Sequence, residues 1–492
     1  MQRKGNPLLC LAAAAALTPT GAQAQDRSLA SLLPRLLSEA VTMPSTAGGV
    51  AGNPHEAHFL PSVAQLEAPY ALNGALVAQL ATFPLGSSSG GFTYFVEGRT
   101  GIPKRSSNNF GPAFAERSLT NGKGQFTAGV NFLPVRYERF EGVGLEGGAM
   151  AFYLTHNDCC PGQSPASGVP GGDDSLLNPF FEGDLVEARL SLDLKTETAA
   201  FFANYGITDR IDVGIAIPLV RVDLDATMTS TILRLSTFAN PAIHTFGGDS
   251  PDTRTARESG TATGLGDIVV RGKYRFLTAP GGGLAIGLDV RLPTGKKEEL
   301  LGTGATQIRP NLIYSADFGW FSPHYNVGYT FSTGSLASAV GTYALGDDVP
   351  TDSFPSDVYD NVFPGGAPTT PITDLKVPNE LGYVAGFVLG VTPRFSISAD
   401  IVGRTLLDVN GFGVQQVQYF FLEGPGGIVE SRTVQQLGIT RTGGRLNILR
   451  GVVGFKLNVG GTFLINANVL FPLNDHGLRA KVTPIVGIDY AF

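Results

Sequence analysis

The feature that most constrains this chain is a period of two that begins near residue 124 and recurs to the C-terminus. In Leu185 to Thr198 the even positions Val186, Ala188, Leu190, Leu192 and Leu194 are apolar, while the odd ones include Glu187, Arg189, Asp193, Lys195 and Glu197. Successive side chains of a strand point to opposite faces, so such a segment presents one apolar and one wet face. The pattern returns in 266–276, 284–292, 307–318 and 321–332, and less strictly near 380–392, 395–408, 446–458, 462–471 and 480–492. Two segments change phase at a proline. The apolar set Ile211, Val213, Ile215, Ile217 gives way after Pro218 to Val220, Val222, Leu224, and 125–140 does the same at Pro134. A one-residue slip exchanges faces, so each proline is expected to mark a β-bulge.

Composition decides what the apolar face meets. Charged residues are 16% of the chain, against ~25% in soluble domains, which is too little for a large soluble surface. The longest uninterrupted apolar run, Leu8 to Leu17, is ten residues, whereas a bilayer-spanning helix needs ~20. A helical membrane bundle is therefore excluded. The 43% apolar content excludes disorder, and a net charge of -7 argues against a nucleic-acid partner.

The connections separate a barrel from a sandwich. Twelve strands from residue 124 onward alternate long linkers (141–183, 229–263, 335–378 and 411–442, with shorter members at 295–303 and 473–479) with tight turns near Gly206, Gly281, Gly319, Pro393 and Gly460. Short turns on one rim and long loops on the other characterise outer-membrane barrels. Aromatics including Phe201, Tyr205, Phe276, Trp320, Phe321, Tyr490 and Phe492 gather beside the short-turn rim, as an interfacial girdle would. The expected fold is an all-β, transmembrane antiparallel β-barrel of 12 strands over residues 124–492, embedded in outer-membrane lipid. The count becomes 14 if a hairpin around Gln79–Phe83 and Phe92–Val96 joins it, but that hairpin needs a ~25-residue connection on the short-turn rim.

Residues 1–24 read as an export signal: Arg3 and Lys4, the apolar Leu8 to Leu17, then Ala22-Gln23-Ala24. This places the protein in a Gram-negative envelope. Residues 25–123 read as a periplasmic extension in which Leu29, Leu32, Leu33, Leu36, Leu37 and Val41 recur at helical spacing. Such an apolar helix face needs a partner surface, and the expectation is that it restricts the lumen from the periplasmic mouth. The mature chain keeps two cysteines, Cys159 and Cys160, adjacent in a Pro/Gly-rich stretch and expected to join in a disulfide at the cell surface. The spacing of a zinc site is absent.

Taking the charged face of each strand as the lumen, the pore-lining candidates are Arg189, Lys195, Arg271, Lys273, Arg275, Asp289, Arg291, Arg309, His324 and Arg404. One reading is an anion-favouring lining for a small-molecule solute, with Arg271, Lys273, Arg275 and Arg291 the best candidates. The other is a structural ladder of ion pairs. His324, with Ser322 and Asn326 on the same face, is the one position that a base-assisted nucleophile could use. The six histidines are otherwise scattered, and no enzyme is expected. The pair His55 and His58 lacks a third metal ligand, the acids of 335–378 fit no EF-hand spacing, and no glycine stretch carries a phosphate-loop lysine. No cofactor is implied.

The stretches NYGITDRIDVGIAIPLV (204–220), GLGDIVVRGKYRF (264–276) and GLAIGLDVRLPTG (283–295) resemble the outer-membrane transporters grouped as "MetA-pathway of phenol degradation". The resemblance implies a passive channel for small hydrophobic or aromatic compounds, and it supplies no catalytic residues. Val482 to Phe492 looks like the terminal signal read by the outer-membrane assembly machinery. The alternative is a surface structural or adhesion barrel with a closed lumen, using its long acidic loops.

Overall fold

A computed structural model describes residues 28–43, 59, 72–80, 91, 94–96, 103–105, 109–155, 184–235, 237, 241–242, 244–279, 282–334, 376–423 and 428–491. Twelve antiparallel strands close on themselves: β1 (Phe126–Tyr137), β2 (Leu185–Thr208), β3 (Ile211–Leu233), β4 (Val269–Ala279), β5 (Gly282–Arg291), β6 (Thr306–Ala316), β7 (Phe321–Thr333), β8 (Glu380–Thr392), β9 (Phe395–Glu423), β10 (Ile428–Gly460), β11 (Phe463–Pro472) and β12 (Thr483–Ala491). Each pairs with its neighbour in the chain, and β12 pairs with β1 to close the ring. The count is the expected twelve, and the described residues of the hairpin that would have raised it to 14 do not join the barrel. Residues 72–80 are helical, and Tyr94–Val96 pairs with Pro103–Arg105 in a separate two-stranded ribbon.

On the outer face of β3, Ile211, Val213, Ile215 and Leu219 are exposed and apolar, and the next outward residues are Arg221, Asp223 and Asp225. On β2 the outward set runs from Ile207, Tyr205 and Phe201 to Glu197, Lys195 and Asp193. On β1 it runs from Phe126 and Phe132 to Arg136. The change falls at one level, because Ala199 pairs with Leu219 and Leu133 with Thr198. Nine residues from Ile211 to Leu219, at ~3.3 Å each and tilted by ~40°, make a band roughly 23 Å tall, close to the ~25 Å apolar belt of a membrane barrel. At the short-turn edge of this belt Trp320 and Phe318 stand 68% and 65% exposed, with Phe321 packed between Trp320, Phe318 and Phe387. Gly319, at φ 88°, makes the turn that carries them.

Beyond the belt, towards the long connections, the pattern inverts. The wall there is β2, β3 and the upper hairpin of β9–β10, reinforced by Met150–Thr155 beside β2 and Thr253–Leu265 beside β3. Its inward side chains are Leu190, Leu192, Leu194, Val222 and Leu224, all buried, and its outward ones carry charge. Arg257 donates to Asp225, while Arg221 and Thr261 donate to Asp223 and hold that carboxyl below the usual range. This inversion corrects the expected bulges. Pro218 lies opposite Ala200 and Pro134 opposite Glu197, with no register shift at either. The apolar set changes parity because the medium outside the wall changes from lipid to water. For the same reason the linker expected over 411–442 is largely strand, and the one expected over 229–263 is strand at both its ends. The shifts in the β9–β10 pairing cluster instead at Leu407–Phe412, where the hairpin leaves the belt.

The inverted wall encloses the N-terminal segment. Helix α1 (Leu32–Val41) packs against β3 and Thr253–Leu265, with Leu32, Leu36 and Ala40 buried. Arg35 pairs with Glu258 at 3.2 Å and Arg254 donates to the Thr42 carbonyl at 2.9 Å. Helix 72–80 joins the same core: Asn73 donates to the Ala30 carbonyl, and Gln79 accepts from the Leu478 amide. The helix expected at the short-turn mouth therefore lies in the opposite half. Its apolar partner is the inner face of the upper wall, where the helix leucines join Leu190, Leu192, Leu194, Val222 and Leu224 in one core. The export signal and both cysteines lie outside the described residues.

Candidate functional site

Within the belt, the inner face of the barrel carries polar side chains beside an apolar group that includes Leu133, Val384, Val402, Val452, Leu470 and Ile485, and an irregular stretch of chain crosses it. Residues 109–121 precede the turn before β1 and run inside the wall, where side chains of five strands hold their backbone. The Asn121 amide donates to Asp212 at 2.9 Å, Ser118 to Ser315 at 3.0 Å, Glu116 to Asn326 at 2.6 Å and Phe114 to Asp400 at 3.0 Å. Asn326 returns a bond to the Glu116 carbonyl at 3.0 Å, and Lys273 caps the Leu119 carbonyl at 2.8 Å. The buried backbone of a chain without a ladder needs such partners, and inward Asn, Ser and Asp provide them. Asn109 donates to Ser322, and the Arg117 side chain is buried beside Gly111, where a Cβ would sit 2.8 Å from the guanidinium.

Above this segment and below the N-terminal core lies a cavity of about 120 Å³. It is lined by Arg271, Arg291, Arg309 and Arg404, by Glu116, Asp289 and Glu380, and by Phe114, Val269, Val384 and Val402. Arg404 meets Glu380 at 2.5 Å, and Arg271 faces Glu116 at 3.5 Å and Asp289 at 3.6 Å. A smaller recess beside it includes Lys273, paired with Asp212 at 3.5 Å.

Five of the ten residues expected in the lumen, Arg271, Asp289, Arg291, Arg309 and Arg404, thus meet around one space, and Lys273 adjoins it. Arg275 faces inward nearer the short-turn rim and donates to the Gly282 carbonyl at 3.3 Å. His324 is buried on the inner face of β7, and no hydrogen bond joins it to Ser322, whose hydroxyl is engaged by Asn109. Arg189 and Lys195 are corrected: they stand on the outer face above the belt, paired with Glu187 and Asp193 at 2.7 Å each. Their strand keeps one parity throughout, so its charged side faces water outside the barrel.

The residues missed are Phe114, Glu116 and Glu380. Glu380 opens β8, where alternation with Tyr383 and Phe387 outward puts it inside. Nothing in the sequence around Phe114 and Glu116 shows that this segment enters the lumen, because irregular chain carries no period.

No curated protein sequence matches the chain. Among solved structures it is similar to an outer membrane channel from Pseudomonas putida F1, at 10% identity over 76% of this chain and 98% of that one, with a TM-score of 0.36. It is also similar to a Pseudomonas aeruginosa FadL homologue, at 9% identity over 75% of this chain and 89% of that one, with a TM-score of 0.28. Residues 181–356, from just before β2 to the connection after β7, match the family described as "Putative MetA-pathway of phenol degradation".

Proposed function

We propose that this barrel is an outer-membrane channel that admits small hydrophobic or aromatic compounds passively. The observation that carries this reading is the cavity inside the lipid belt, walled on one side by a segment that wall side chains hold in place. A strand ladder would have to be broken to open a path. A seat of separate side-chain hydrogen bonds can be vacated locally, each at about 0.5 to 1.5 kcal/mol. The solute class follows from the family described for residues 181–356. Export through the signal at residues 1–24, insertion through a C-terminal signal ending at Phe492, and a surface disulfide between Cys159 and Cys160 belong to the same proposal.

The second reading, a surface barrel with a closed lumen, draws on the charged wall that stands above the belt and on the filling of that wall by the N-terminal core. Reconstitution separates the two. Liposomes or planar bilayers carrying the folded, heat-modifiable barrel are expected to show conductance steps and aromatic-solute flux above those of protein-free membranes. A folded barrel with neither is a closed surface protein.

A further inference from the structure

The cavity in the belt holds more positive than negative charge. Its lining has four guanidiniums against three carboxylates; Arg404 and Arg271 lie within ion-pair distance of those acids, Arg291 also feels Asp267 behind the lining, and Arg309 shares the field of Glu380 with Arg404. Arg309 forms no ion pair among the described residues, and its buried Nε has no hydrogen-bond partner. A Cβ at Gly382 would sit 2.7 Å from Arg309 Nη2, so the glycine leaves room for that guanidinium against the wall. A guanidinium cannot shed its proton, and an excess charge held away from bulk water is costly unless an anion answers it. The planar fork of arginine fits a carboxylate with two parallel hydrogen bonds. The other side of the space is apolar, made by Phe114, Val384 and Val402. The volume of about 120 Å³ is near the ~150 Å³ of an apolar cavity known to hold one benzene.

We propose that this cavity is a binding site for a small aromatic monocarboxylate, with the carboxylate on Arg309 and its neighbours and the single ring against Phe114, Val384 and Val402. This rests on the channel reading above and names the solute class of the same lumen. A neutral ring leaves the excess charge unanswered, and an inorganic anion leaves the apolar side uncovered, so neither satisfies both halves of the site.

The test is calorimetric titration of the full-length, detergent-solubilised barrel with benzoate, benzamide and inorganic phosphate. Flux of the two ring compounds into proteoliposomes is measured in parallel. Benzoate is expected to bind one per barrel, and benzamide and phosphate at least about tenfold more weakly. Arg309→Met removes a charge-assisted hydrogen bond and is expected to weaken benzoate about tenfold or more. Gln307→Glu, which adds a carboxylate to the lining, is expected to do the same without removing an arginine, while Lys195→Met on the outer wall leaves binding unchanged. Should either lumen variant fail to show heat-modifiable folding, the other carries the test. Equal binding of benzoate and benzamide, equal binding of benzoate and phosphate, or benzoate affinity indifferent to both folded lumen variants would each overturn the assignment. Flux of both ring compounds at the same rate in all variants would leave the channel standing and remove the site. Benzoate binding that is sensitive to Arg309, with no flux of any solute, would keep the site and remove the channel.

Discussion

Asn326→Ala should turn the segment across the lumen into a looser gate. Asn326 accepts from the Glu116 amide and donates to the Glu116 carbonyl, so one side chain mimics a β-bridge between the wall and residues 109–121. Among the bonds that seat Phe114 to Asn121, seven run to Asp400, Asn326 (two), Ser315 (two), Asp212 and Lys273. At a net ~1 kcal/mol each, these seven alone make full release cost at least ~7 kcal/mol, so that it occurs in fewer than about one molecule in 10⁵. Removing two of them costs the seat ~2 kcal/mol, and the adjoining cavity lets water meet the freed Glu116 groups without a larger penalty. The vacated state should therefore rise about 30-fold, and with it the open probability in planar bilayers. The complement is Ser118→Cys with Ser315→Cys, whose hydroxyls lie 2.7 Å apart. Oxidised, that pair ties the segment to β6 and should abolish flux, which reductant restores. An Asn326→Ala barrel with unchanged conductance, or a cross-linked barrel that conducts like the reduced one, would refute a moving segment.

Three further outcomes follow. Phe455→Arg, at mid-belt on β10, should cost ~2–4 kcal/mol in urea titrations of the liposome-inserted barrel. Thr229→Arg, on the outer face of β3 above the belt, should stay within ~0.5 kcal/mol; equal costs would misplace the lipid boundary. Leu36→Ala empties a fully buried position of α1 and should weaken helix docking by ~2–5 kcal/mol, read as protease cleavage of the N-terminal segment from barrels that remain heat-modifiable. Cysteines placed at Thr255 and Arg394 should differ in whole cells, the first reacting with an impermeant maleimide and the second not; the reverse would invert the barrel.

The strand count was legible because ten-residue alternation is what a membrane barrel imposes, and turn residues punctuate it at Gly319 and Pro393. What alternation cannot say is which face is which. Arg189 and Arg271 are both charged positions on alternating strands, yet one points to water outside and the other into the lumen. The difference is height relative to the belt. A strand of 24 residues such as β2 is more than twice what a bilayer needs, and that excess length was the available signal that part of it leaves the membrane. The proline phase changes were the same signal in another form. Pro218 sits next to the boundary, where the apolar set moves from Ile217 outside to Val220 inside while the pairing runs on without a slip. The helix at Leu29 to Val41 was also legible, since its leucines demand a partner, but its partner lies on strands whose inner faces had been taken for outer ones.

Filling the upper wall and closing the lumen are one requirement. A barrel wall that stands in water on its outside can carry an apolar inner face only if something apolar fills it. Leu190, Leu192, Leu194, Val222 and Leu224 are each worth ~1.5–3 kcal/mol when buried, on the order of 10 kcal/mol together. The N-terminal helices supply that cover, and Gly260 lets them come close: a Cβ there would lie 2.5 Å from Leu29 Cδ2. The chain reaches the short-turn rim, where β1 begins beside β12, through residues 109–121, which cross the lumen within the belt. There they travel as irregular backbone held by Asn, Ser, Asp and Lys side chains, with Phe114 and Ala115 in one apolar cluster with Val384, Val402 and Val452. The tight apolar seat above and the separable polar seat below are thus set by the same boundary, the level at which lipid outside the wall gives way to water.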